Sequence, residues 1–207
     1  MSFLDEIGRH DPQQVLAAIE SKTAADVERV LLIERLRPDD FMTLLSPAAE
    51  GYIEAMAQKA HRTTQQRFGR TILLYAPIYL SNECSNGCVY CGFNATNRVP
   101  RKTLTLEEIE REAQVLHELG YRHILLVTGE FPAKVDNEFI AAAARRIRHL
   151  FSSISIEVYP MEEDGYRQMV EAGIDGLTIY QETYDRELYA ELHPFGKKRN
   201  YDFRLLT

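Results

Sequence analysis

Residues 71–91 read TILLYAPIYL-SNECSNGCVYC: an apolar, strand-like run from Thr71 to Leu80 feeds directly into a loop carrying Cys84, Cys88 and Cys91. Beyond it, strand and helix signals alternate. Thr105-Leu-Glu-Glu108 is a capping box, opening a helix that stops at Gly120. His123–Thr128 (HILLVT) is a second strand, Asp136 caps a helix running to about Leu150, and Ser153–Tyr159 (SISIEVY) is a third strand. A helix over Glu162–Ala172 ends at Gly173, Gly176–Tyr180 (GLTIY) is a fourth strand, and Tyr184–Leu192 a fourth helix. Four strand–helix units with continuously apolar strands predict an α/β fold whose parallel sheet is buried on both faces. A complete eight-fold barrel takes roughly 250 residues. Residues 71–207 are therefore expected to be the N-terminal half of such a barrel in a truncated chain, with an open half-barrel sheet as the alternative.

The region before it, 1–70, reads as helical. Asp11-Pro12-Gln13-Gln14 offers an N-cap, a proline at the first helical position and a glutamine at the third. Thr23-Ala-Ala-Asp26 opens a second helix carrying Val27, Val30, Leu31 and Ile33. Ser46-Pro47 begins a third that runs to about Phe68, with Ile53, Met56, Ala57 and Ala60 at helical spacing. Nothing catalytic stands out here, and the region is expected to serve packing and capping.

Composition narrows the class. The 207 residues are 45% hydrophobic and 27% charged, ordinary for a globular protein. No apolar run approaches the ~20 residues of a membrane span, and residues 1–10 lack the basic-then-apolar order of a signal peptide. A net charge of −7 with scattered basic residues argues against nucleic acid as a partner. Three unpaired thiols point to a reducing cytoplasm.

The cysteines are the only three in the chain and are spaced C-x3-C-x2-C, with Tyr90 just before the last. A four-iron cluster usually takes four thiolates, so three from one loop leave one iron open to a substrate or cofactor. Zinc would want a fourth ligand, and none of the six histidines lies within 20 residues of the motif. A redox pair of Cys88 and Cys91 leaves Cys84 unexplained. Disulfides fit poorly with an odd count.

C-x3-C-x-aromatic-C is the signature of the radical S-adenosylmethionine (SAM) enzymes, which this chain resembles. The resemblance implies a radical SAM TIM-type barrel, a [4Fe-4S] cluster on Cys84, Cys88 and Cys91, and SAM chelating the open iron. Its reductive cleavage would start radical chemistry. By the same resemblance the backbone of Tyr90 contacts adenine, and Thr128-Gly129-Glu130 receives the SAM amino group. There, the missing side chain of Gly129 lets the main chain come close; a plain βα turn with Glu130 solvated is the alternative. Gln181 and Glu182, after the fourth strand, are expected on the ribose hydroxyls, which suit a carboxylate acceptor. Glu182 could instead cap the next helix. Arg204, 22 residues on, is expected on the SAM carboxylate through a bidentate guanidinium. Glu157 is either a site carboxylate or an outward-facing strand residue, and Lys197–Arg199 reads as a solvated basic turn.

Further strings resemble one branch of this family, the 2-iminoacetate synthases, tyrosine lyases of thiamine thiazole synthesis. They are Cys91-Gly-Phe-Asn, Asn97-Arg98, Arg101-Lys-Thr-Leu-Thr105, Leu125-Leu-Val-Thr-Gly-Glu130, Ala133-Lys-Val135, Ile179-Tyr-Gln-Glu-Thr-Tyr184 and Gly196-Lys-Lys198. The branch implies hydrogen abstraction from the amino group of L-tyrosine and cleavage of its Cα–Cβ bond, giving 2-iminoacetate (dehydroglycine) and p-cresol. It implies a thiazole synthase partner and a reductant such as flavodoxin or ferredoxin. The tyrosine-cleaving maturase of iron-only hydrogenase, which shares Gln-Glu-Thr-Tyr, is the nearest alternative, and tryptophan lyase a more distant one. An inactive cluster-binding fragment is the non-enzyme alternative. No residue is assigned to tyrosine.

Overall fold

The computed structural model describes residues 3–206, so positions 1, 2 and 207 of the two expected regions lie outside it. The chain divides at Ile72/Leu73 into two compact units.

The first unit is helical. It holds α1 (Phe3–Ile7), α2 (Pro12–Glu20), α3 (Ala24–Leu32), α4 (Pro38–Leu44), a 3-10 turn (Pro47–Tyr52) and α5 (Ile53–Phe68). Local chemistry sets the ends. Asp11 accepts from the Gln13 backbone N–H, and Thr23 and Asp26 form a reciprocal capping box. The Lys59 ammonium donates to the carbonyls of Leu31 (2.9 Å), Val30 (3.2 Å) and Ile33, satisfying acceptors that the end of α3 leaves open. Helices α1 and α4 are additions to the sequence reading, and the expected long third helix begins as the 3-10 turn. Its apolar stripe is not a core stripe. No residue of α5 is buried, and Ile53 is 63% exposed.

The second unit is built on four parallel strands in the order β1-β2-β3-β4: β1 (Tyr75–Ser81), β2 (His123–Thr128), β3 (Ser153–Glu157) and β4 (Gly176–Thr178). Between and after them come α6 (Leu106–Glu118), α7 (Asn137–Ile147), α8 (Glu163–Ala172), α9 (Arg186–Leu192), a 3-10 turn (Lys197–Arg199) and α10 (Tyr201–Leu206). The sheet is open, and its register runs Tyr75↔His123↔Ser153 and Leu126↔Ile156↔Leu177. The first strand starts at Tyr75 because that is where pairing with His123 begins; Ile72, Leu73 and Leu74 are apolar but exposed.

Burial along the strands alternates. Ala76, Ile78 and Leu80 of β1, Ile124 and Leu126 of β2, and Ile154 and Ile156 of β3 pack against Ile109 and Ala113 of α6, Ile140 and Ala144 of α7, and Met169 of α8. The continuous apolar runs predicted burial on both faces. Helices cover only one. The other face carries Tyr79, Val127, Glu157 and Thr178 into a cavity, which is how the sheet presents the site. Among the described residues, no helix is long and apolar enough to cross a membrane.

Candidate functional site

A parallel sheet carries its chemistry beyond the carboxyl ends of its strands, because there the chain must leave the ladder and its loops converge. Strand β1 ends at Ser81, and Cys84, Cys88 and Cys91 follow in a loop that lines a cavity of about 460 Å³. All three are free thiols. The loop is held largely by backbone partners. Cys91 N–H donates to the Cys88 carbonyl (3.2 Å), and Asn94 Nδ2 donates to the same oxygen (2.9 Å). Phe93 N–H points at Cys91 Sγ (3.4 Å), the type of contact that tunes a cluster sulfur. The Arg101 guanidinium ties the far side down by donating to the carbonyls of Asn82, Phe93, Asn94 and Asn97.

The turn after β2 locks onto this loop. Ser85 donates to the Glu130 carbonyl from both its N–H (3.0 Å) and its Oγ (2.9 Å), and Asn86 Nδ2 donates to Glu130 Oε2 (2.7 Å). A Cβ on Gly129 would stand 2.3 Å from the Glu83 carbonyl oxygen and 3.0 Å from Cys84 Cβ. Gly129 is thus required, within the protein itself, by close approach to the cysteine loop. Glu130 is not simply solvated; its carboxylate is a partner of that loop.

The end of β4 supplies the opposite wall. Glu182 lines the cavity with φ +74°, a left-handed backbone that a residue with a side chain rarely adopts. It does not cap α9, whose cap is Asp185. Its carboxylate accepts from Lys198 Nζ at 2.6 Å. Burial works against the charged form of Glu182. The hydrogen bond and charge of Lys198 outweigh that and hold the carboxyl below its ordinary value. The basic turn is corrected here: Lys198 is a cavity residue whose side chain is 15% exposed. The adjacent burial pushes the Cys88 thiol up, and the Lys198 ammonium opposes that push without cancelling it. Arg204 Nε and a terminal nitrogen donate to the Tyr180 carbonyl (3.3 and 3.1 Å) from α10, a helix the sequence reading did not include.

Of the expected site residues, Cys84, Cys88, Tyr90, Cys91, Gly129, Glu130, Glu182 and Arg204 share this cavity, and Glu157 joins them. Gln181 does not line it. Its side chain is buried, with neither the amide nitrogen nor the amide oxygen paired. A larger cavity of about 960 Å³ shares Glu130 and Tyr159 with the first but contains no cysteine, so size is not the guide to the chemistry. His193, absent from the expected residues, places its Nε2 2.7 Å from the Tyr90 hydroxyl. No local motif flags it, because it comes 103 residues later.

The donor set fits an iron–sulfur cluster. Three free thiols from one loop border one cavity, beside backbone donors and a fixed cation. Among the described residues, no three His, Cys, Asp or Glu side chains gather as ligands of one ion. A cluster asks for something else, since each thiolate takes its own iron. Loading requires the thiolate forms, so it releases protons, and at Cys88 it works against burial, which favours the thiol.

Comparison with known proteins agrees. The chain is 47% identical over its whole length to the 2-iminoacetate synthase of Escherichia coli, and 46% to that of Salmonella typhimurium. It spans 55% of the length of each, about half the curated relatives it matches. A crystal structure of HydG, a maturase of the [FeFe]-hydrogenase, superposes with a TM-score of 0.86 at 26% identity, over 94% of this chain and 46% of that one. Residues 78–206 match the family model of the Radical SAM superfamily. The open four-stranded α/β sheet, which follows the helical unit in the chain, is accordingly part of a radical SAM TIM-type barrel, with a [4Fe-4S] cluster and SAM as its cofactors, and the chain belongs to the radical SAM superfamily.

Proposed function

We propose that this chain is the cluster-bearing part of a lyase that splits the Cα–Cβ bond of L-tyrosine, giving 2-iminoacetate (dehydroglycine) and p-cresol for the thiazole of thiamine. The observation that carries the reading is 47% identity to a 2-iminoacetate synthase along the entire chain. HydG is also similar in fold, but at 26% identity it supports the hydrogenase-maturase alternative less well.

In this reading Cys84, Cys88 and Cys91 hold the cluster. The cluster and SAM together supply the radical chemistry; the chain supplies binding, orientation and shelter from water. Tyr90, Gly129 and Glu130 line the cavity where adenine and the SAM amino group are to be received. Glu182, kept ionised by Lys198, is an acceptor for ribose hydroxyls, and Arg204 is a donor for the SAM carboxylate. Gln181 is retained on its unpaired buried amide, since a buried polar group without a protein partner is placed to complete its bonds elsewhere. The protein would work in the cytoplasm with a thiazole synthase and a reductant such as flavodoxin or ferredoxin, and without nucleic acid.

The test is anaerobic reconstitution of the full-length protein with iron and sulfide, followed by SAM, reductant and tyrosine. Deoxyadenosine together with p-cresol is the expected result. Deoxyadenosine without p-cresol overturns the substrate, and a protein that takes up no iron overturns the class. Cys88→Ala is expected to abolish deoxyadenosine formation while far-ultraviolet circular dichroism stays unchanged.

A further inference from the structure

The segment from Leu192 to Lys198 lies across the cysteine loop like a strap. Val89 N–H donates to the Leu192 carbonyl and Gly87 N–H to the Phe195 carbonyl, both at 3.1 Å, and Lys198 N–H donates to Asn86 Oδ1 at 2.9 Å. Gly196, at φ +92°, passes so close that a Cβ there would meet Asn86 Oδ1 at 2.2 Å. One side chain of the strap is wholly enclosed. His193 is 0% exposed, its ring 4.1 Å from that of Tyr189 and edge-on to Tyr90 at 5.6 Å.

The hydrogen bonds of His193 fix its tautomer. Nδ1 lies 2.8 Å from the Tyr189 carbonyl oxygen, which can only accept, so Nδ1 carries the proton. Burial keeps the ring neutral by lowering its affinity for a second proton. Nε2 therefore presents a lone pair, and the Tyr90 hydroxyl donates to it. Tyr90 is 49% exposed, and besides this bond its ring meets the Lys198 ammonium at 5.6 Å from the centroid. Its hydroxyl thus ties a residue lying between Cys88 and Cys91 to the strap.

We propose that His193 is a positioning residue which, by accepting the Tyr90 hydroxyl, holds the Cys88–Cys91 turn in the shape that keeps all three thiols on one cavity. This rests on the trio being the cluster ligands, but the labelling test does not require the cluster. In the reduced, metal-free full-length protein, the rate at which iodoacetamide alkylates Cys88 reports opening of the turn. Tyr90→Phe, which keeps the ring, and His193→Asn, which keeps only the Nδ1 side, should each raise that rate roughly tenfold, the size of one lost buried hydrogen bond. The double variant should be no faster than either single one. His193→Gln, with an amide at the Nε2 position, should stay near wild type. After reconstitution, Tyr90→Phe should also change the electron paramagnetic resonance spectrum of the reduced cluster in its response to SAM.

Wild-type labelling in Tyr90→Phe, a double variant whose effects multiply, or an unaltered spectrum would each overturn the proposal. A wild-type protein that takes up no iron would instead overturn the cluster reading, since alkylation is read on the bare thiols.

Discussion

Among the described residues of the helical unit, the buried apolar side chains are Val27, Val30 and Ala49, while Leu32 and Phe68 stand exposed. The sheet unit buries a continuous core from Ala76 to Ile174, drawn from three strands and three helices. Helix ends in the first unit are settled within a few residues, by Asp11 on Gln13 and Thr23 on Asp26, or by the single side chain of Lys59. In the second unit, groups far apart in sequence meet: Asn86 bonds Lys198, and Tyr90 bonds His193. Short-range chemistry is enough to make helices. Assembling a site took the long-range core.

The sharpest way to break this contrast is a core deletion. Leu126, wholly buried at the middle of β2, should cost the sheet unit about 2–5 kcal/mol on substitution Leu126→Ala. Amide exchange under mild urea would show β2 and β3 opening more readily with α3 unchanged; equal loss in both units would end the comparison. A smaller effect separates two glycines. Gly129→Ala places a methyl group against the Glu83 carbonyl and should cost about 1–3 kcal/mol, with weaker iron uptake. Gly51→Ala in the helical unit meets nothing within 4 Å and should stay within about 0.5 kcal/mol. Denaturant midpoints of the two variants decide it. At the low end of the Gly129→Ala range lies Thr23→Ala, which removes one half of the capping box and should loosen α3 by about 1 kcal/mol without touching iron uptake.

How far the sequence could be read follows the same divide. Strand β2 lies where its apolar run predicted, and the cap of α6 at Thr105 with Glu108 formed as the motif implied. Both signals are local. Strand β1 starts four residues later than its apolar run, because a strand needs a neighbour and none pairs before Tyr75. The helices α4 and α10, of 7 and 6 residues, are too short to declare a period. The cysteine loop was legible because three ligands lie side by side. Lys198 looked solvated because its partner Glu182 sits 16 residues back across a turn. Only the fold brings His193 under Tyr90, so a count of sequence distance set the histidines aside.

The backbone at Glu182 carries a consequence for laboratory evolution. A left-handed conformation costs a residue with a Cβ roughly 1–2 kcal/mol, a burden glycine escapes. Libraries screened for heat tolerance alone would thus drift toward glycine there, and in doing so strip the carboxylate from Lys198 and leave a bare ammonium beside Cys88. Screens for turnover should hold the glutamate in place, so the two regimes would part company at this one codon.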